Sequence, residues 1–330
     1  MEITRRDKKN ANEEDDNKII YLGPFIGVHE VSSGPAAEGG FIRFVFGCHK
    51  SHNGYIAAET FTLNHLPSRY RDHELFQLIQ VISFLTVRVD VSYTSNKRPV
   101  YYEGTTRPYP YSEERGQTKC RTGTGRVGTV WRYTEKDNRS CVCSSCKNSP
   151  TPKKEWGLIR VITAVHVVYD KDEALHAVCR FGFNSIQSPE IIMEGVDMER
   201  ADVTDDRCHL SCVTHDLELL DRMRKNWSRY PPLHAKVCKK FDTPDDKLTV
   251  IVSHPHGCIK YISLGVWAIR EERGESSPGH PYATYTYNAP TCPGSSGATV
   301  YIMGRKWGLW YNQIHSGYNG TNNFSGNGCD

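Results

Sequence analysis

Cys292-Pro293-Gly294-Ser295-Ser296-Gly297-Ala298-Thr299-Val300 sets a serine between glycines directly ahead of an apolar, β-like run. A nucleophile that must also offer its own backbone N–H to a developing oxyanion needs a tight turn. Flanking glycines permit a positive φ and the close approach of a substrate. Alone, Gly-Ser-Ser-Gly is equally the texture of a flexible loop, so its reading depends on the rest of the chain.

The chain has 330 residues, a formal net charge of +3 from 41 Lys+Arg against 38 Asp+Glu, and 12 Cys. This length accommodates one large or two modest domains with a sizeable core. A near-neutral balance without a basic block argues against a general nucleic-acid binder. The longest apolar stretch, Leu75 to Val91, is interrupted by Gln77, Gln80, Ser83 and Arg88, which argues against a membrane span. The first residues run Arg5, Arg6, Lys8 and Lys9 into Glu13, Glu14, Asp15 and Asp16 and do not read as an export signal. The expected compartment is cytoplasmic, with secretion as the alternative. The sequons at Asn138, Asn226, Asn319 and Asn323 then read as chance matches.

Residues 1–39 read as a disordered charged tail, and 40–81 as an N-terminal extension with a strand near Phe41–Phe46. In the extension Leu75, Leu78, Ile79, Ile82 and Leu85 recur at helical spacing and predict a packing helix between Asp72 and Leu85. From about residue 82 the texture turns to short strands and long loops. The β-like runs are Thr86 to Val91, Gly157 to Val165, Ala177 to Phe183, Leu248 to Ser253, Tyr261 to Ile269, Ala298 to Met303 and Gly308 to His315. One helix, Leu217 to Trp227, interrupts them. Many strands without regular helical spacers predict a mainly β sandwich or barrel.

A second segment gives the serine turn its context. Leu158-Ile159-Arg160-Val161-Ile162-Thr163-Ala164-Val165-His166 is an apolar strand ending in Thr-Ala-X-His, and a histidine at a strand end suits a general base. With Gly294-Ser295-Ser296-Gly297, this box resembles the His and Ser boxes of chymotrypsin-like serine peptidases. Gly123-Thr124-Gly125 resembles the entry to the strand before the His box. His254-Pro255-His256-Gly257 resembles the Gly-X-Pro-X-Gly step ahead of the second-barrel strands. The resemblance covers residues 82–330 and implies a chymotrypsin-like double β-barrel.

It also implies a serine endopeptidase acting on protein or peptide substrates, with no cofactor needed for catalysis. Ser296 would be the nucleophile, His166 the base, and the N–H groups of Gly294 and Ser296 the oxyanion hole. The acid falls on Asp216, in Thr214-His215-Asp216-Leu217-Glu218-Leu219-Leu220, which resembles the family's Asp-X-Ala-Leu-Leu box; Asp202, Asp205 and Asp206 are its rivals. Ser295 stands where Asp or Asn is usual, which weakens any trypsin-type zymogen switch. Thr291 and His315 resemble the S1 pair of glutamyl endopeptidases and of Gln-specific viral proteases, implying Glu or Gln at P1. The alternative for His315 is an ordinary surface histidine.

The cysteines leave three readings open. Cys141-Val142-Cys143-Ser144-Ser145-Cys146 and Cys208-His209-Leu210-Ser211-Cys212 have spacings that a tetrahedral structural zinc could use, or that disulfides or inert thiols could explain. A catalytically inactive protease-like protein and a zinc-binding interaction protein are the rival functional readings. The oligomeric state is left open.

Overall fold

The computed structural model describes residues 28–33, 50, 52–185, 187–188, 191–277, 280–305 and 312–329. Most of the expected tail, the expected strand at Phe41–Phe46 and part of the run Gly308–His315 lie outside these residues. The strands in chain order are β1 (Val28–His29), β2 (Ser32–Ser33), β3 (Tyr55–Ala57), β4 (Thr86–Val91), β5 (Arg121–Tyr133), β6 (Trp156–Thr163), β7 (Ala177–Phe181) and β8 (Ile191–Asp202). They continue with β9 (Arg207–Thr214), β10 (Leu248–Ser253), β11 (Tyr261–Ser277), β12 (His280–Tyr287), β13 (Val300–Ile302), β14 (His315–Tyr318), β15 (Asn323–Ser325) and β16 (Gly328–Cys329). Two long helices join them, α1 (His73–Leu85) and α2 (Leu217–Lys240).

Strands β5-β4-β7-β8-β9-β6 pair antiparallel in that order, and β6 returns to β5, closing a first barrel. Alternation along β4 and β9 buries Val87, Val89 and Val91, and Cys208, Leu210 and Cys212, in its interior. The second sheet runs β13-β10-β11-β12-β15-β14. Bonds from Gly297 N to His315 O, from His315 N to Ala298 O and from Val300 N to Gln313 O join its two ends. Its interior is packed with Trp267, Tyr285, Tyr287 and Val300. The chain is therefore a chymotrypsin-like double barrel, as the boxes imply.

Helix α1 forms where the apolar spacing predicts it. Asp72 caps it, accepting from the N–H groups of Glu74 and Leu75 at 3.0 Å. It lies against α2, with Tyr70 packed on Phe241 and Lys236 paired to Glu74 at 3.1 Å. The helix expected to end at Trp227 instead runs to Lys240, through Pro231 and Pro232. Tyr230, Leu233, His234 and Val237 continue the buried face, and their burial offsets the roughly 3 kcal/mol that a proline costs inside a helix. No described helix is long and apolar enough to cross a membrane.

Candidate active site

Thr163 ends β6, and the following turn carries His166 to the seam between the barrels, where the side chain is 1% exposed. A buried ionic cluster holds that turn. Glu173 accepts from Arg98 Nε at 2.6 Å and Nη2 at 2.8 Å and also pairs with Arg121. The two arginines in turn donate to the carbonyls of His166, at 3.1 Å, and Val167, at 2.8 Å.

The acid facing the imidazole is Asp206. Its Oδ1 and Oδ2 lie 2.8 and 2.7 Å from His166 Nδ1, its Oδ1 accepts from the His166 backbone N–H at 3.3 Å, and Ser316 Oγ donates to it. Asp206 sits in the tight β8–β9 turn with φ of +50°, a left-handed conformation that aspartate tolerates. Burial opposes its ionisation, but the charge and hydrogen bond of His166 outweigh burial and hold the carboxyl below its ordinary range.

Asp216 is elsewhere: it is the N-cap of α2, its Oδ1 accepting from Leu219 N at 2.8 Å. This corrects the placement drawn from the resemblance. An acid immediately before a helical repeat has the free N–H groups of the first turn as its nearest donors. The usable signal was the alternation Cys208, Leu210, Cys212 just after Asp206, which marks a strand start and not a helix start.

Thr124 fixes the serine turn from the first barrel. Its hydroxyl donates to the Gly294 carbonyl at 2.7 Å, and its N–H to the Ser296 carbonyl at 2.8 Å. Ser295, where the family usually has an acid, is fully buried with its Oγ 3.1 Å from Ser253 Oγ. Gly294 has φ of +102°, and a Cβ there would lie 2.5 Å from the His254 carbonyl oxygen. Only glycine fits that turn, and the turn aims the N–H groups of Gly294 and Ser296 at one point. The Glu30 carbonyl oxygen occupies it, 2.7 Å from Gly294 N and 3.1 Å from Ser296 N. The Ser296 hydroxyl lies 3.5 Å from the Ser316 carbonyl, and His166 Nε2 is buried without a hydrogen-bond partner.

His315 is fully buried, not a surface residue. Its Nε2 lies 2.7 Å from Glu30 Oε2, and its Nδ1 2.6 Å from the Tyr287 hydroxyl. Lys50 completes this pocket. Its Nζ pairs with Glu30 Oε1, donates to the Thr291 carbonyl at 3.3 Å and stands 3.7 Å from the centre of the Tyr318 ring. The Thr291 hydroxyl is buried without a hydrogen-bond partner, so Thr291 meets the pocket through its carbonyl. Burial raises the Glu30 carboxyl, but His315 and then Lys50 reverse this and bring it from 4.5 to about 2. Nothing in the spacing of the sequence singles out Lys50.

Similarity to known proteins is confined to solved structures. No family model matches the sequence, and no curated relative matches it. Deg5 superposes with a TM-score of 0.40 at 14% identity over 79% of this chain and 90% of its own. The HtrA-type protease AlgW with a tripeptide gives 0.35 at 10% identity, over 76% of this chain and 58% of its own. The Rv3671c protease in an inactive form gives 0.36 at 14% identity, over 77% of this chain and 90% of its own.

Of the five cysteines with metal-like spacing, the fold brings three together. Cys141, Cys143 and Cys146 converge with His215, whose Nε2 lies 3.0, 3.9 and 3.6 Å from their sulfurs. Cys208 and Cys212 do not join them. They point into the first barrel, Cys212 Sγ lying 3.5 Å from Cys179 Sγ, because the parity of β9 turns both inward. His215, just past the end of β9, supplies the fourth donor instead.

Proposed function

We propose that this protein is a serine endopeptidase that cleaves after glutamate, with Ser296 as nucleophile, His166 as general base and acid, and Asp206 as the group that fixes the imidazole tautomer. One observation carries the reading: a glutamate already lies there with its carbonyl on the Gly294 and Ser296 N–H groups and its carboxylate on His315 and Lys50. Both halves of a P1 residue are thus accommodated at once.

The chemistry follows from the donors. As Ser296 Oγ adds to the carbonyl carbon, its proton passes to His166 Nε2 and the new oxyanion sits on the two N–H groups, worth roughly 3 kcal/mol each. The amine leaves with the proton from Nε2, and a water, deprotonated by the same nitrogen, releases the acid. The step needs the Ser296 hydroxyl to leave the Ser316 carbonyl and bond Nε2, which has no other hydrogen-bond partner. His315 donates from Nε2, and Lys50 adds a positive charge, so the pocket suits a carboxylate better than an amide. Fluorophosphonate labelling with peptide mapping tests the nucleophile: modification at Ser296, abolished in Ser296→Ala, is expected. The serine–carbonyl contact also suits a catalytically silent relative, and a Ser296 left unlabelled in a chain that begins at Val31, with the Glu30 segment absent, would establish that reading instead.

The Cys141, Cys143, Cys146 and His215 cluster supports a structural zinc site. Backbone N–H groups of Cys143, Cys146 and Lys153 donate to the three sulfurs at 3.4–3.5 Å, as outer donors to metal-bound sulfur do. Three thiolates and an imidazole nitrogen are a closed tetrahedral donor set, with no position left for catalysis. This site would pin the loop before β6 to the end of β9.

A further inference from the structure

We infer that the Glu30–Val31 peptide bond is a substrate of the chain's own active site, cut within the same molecule; this rests on the peptidase reading above. Val28–Ser33 crosses the cleft as an extended peptide, first on one barrel and then on the other. Val28 and His29 pair antiparallel with Tyr318 and Gly317 of β14, while Ser32 and Ser33 pair with Thr122 and Arg121 of β5. Between the two ladders lies the bond whose carbonyl is held by Gly294 and Ser296. The Glu30 side chain fills the pocket of His315 and Lys50. His29 lies over the base, its ring 4.0 Å from that of His166, with Nδ1 2.9 Å from the Ser316 carbonyl and Nε2 2.7 Å from the Tyr102 hydroxyl. Val31 is buried on the leaving-group side.

This placement has two consequences. The bond is held as a substrate would be, on both sides of the reacting carbon, so attack by Ser296 gives a Glu30 ester and frees the Val31 amine. Water then yields a Glu30 carboxylate, and the balance is hydrolysis of one amide. Until that happens the segment excludes other peptides, since Ser296 is fully buried and His166 nearly so beneath it. Once the bond is cut, the upstream piece is held in the described structure by the two-residue strand β1 and its pocket contacts, so its departure opens the cleft. Self-cleavage is therefore the step that activates the enzyme toward other substrates.

The full chain, expressed and purified, is followed by intact mass and N-terminal sequencing over time. A product beginning at Val31 is expected, with turnover of an added P1-Glu peptide rising as it accumulates. Ser296→Ala remains intact, and Glu30→Ala slows the cut by about 10²-fold or more. The rate constant should stay the same across a hundredfold dilution; a rate rising with concentration would overturn cleavage within one molecule. A wild-type chain that hydrolyses the added peptide yet keeps Glu30–Val31 whole overturns the inference and leaves the peptidase reading standing. A chain that neither cuts itself, cuts the peptide nor takes the fluorophosphonate overturns both.

Discussion

On the proposed reading, the His315 and Lys50 pocket should prefer a carboxylate at P1 over an amide. Moving the buried Glu30 carboxyl from 4.5 to about 2 corresponds to roughly 3 kcal/mol favouring the anion over its neutral form. A P1 glutamine is close in shape but uncharged, so its kcat/KM should fall by about 10² relative to glutamate. The preference should come apart in two stages. Lys50→Met removes the full positive charge and is expected to lower the Glu-to-Gln ratio to about 10. Adding His315→Leu should bring it near 1, with Gln turnover changing least. The sign with pH follows from the lowered value: the extra binding is complete above about 4.5 and is lost as the pH falls toward 2. The assay is a matched pair of fluorogenic peptides, measured on a chain beginning at Val31 and on each variant of it. A Glu-to-Gln ratio below about 3 in the unaltered enzyme, or one indifferent to both substitutions, would refute the assignment of this pocket.

Three further outcomes are expected. Asp206→Asn should lower kcat by on the order of 10⁴ with the fold retained, because the imidazole loses its orienting acceptor, whereas Asp216→Ala should leave kcat unchanged and lower unfolding free energy by about 1 kcal/mol through the lost helix cap; steady-state kinetics and denaturant titration separate the two. Gly294→Ala brings a Cβ to 2.5 Å from the His254 carbonyl oxygen and should displace the turn, costing about 10²–10³ in kcat on the P1-Glu peptide and lowering Tm. Native mass spectrometry should find one zinc per chain, lost in Cys143→Ser together with several degrees of Tm; full zinc in that variant would contradict the donor set.

Local physics made several elements legible in the sequence. Helix α1 could be read from its apolar period, and β4 and β10 have the expected bounds, since a run of side chains that must be buried sets its own periodicity. The seven residues Thr163 to His166 and Gly294 to Ser296 were legible as two boxes, an apolar strand ending in Thr-Ala-X-His and a glycine-flanked turn that only glycine fits at Gly294. The order of the boxes then fixed the double barrel.

Pairings that span the chain were not legible. Asp206 could be told from Asp216 only once the β8–β9 turn was seen against His166, because two acids ten positions apart differ little in a string of letters but occupy a strand turn and a helix cap in space. The same is true of His215 as the partner of the Cys141–Cys146 turn, and of Lys50 and His315, 265 positions apart, on the one Glu30 carboxylate. Sequence sets what each segment can do alone, through propensity, capping and hydrophobic period. The closing of the barrels decides which distant side chains share a buried space, and there a low dielectric turns proximity into altered acidity. That is why a glutamate in a segment read as tail could be found only by folding the chain around it.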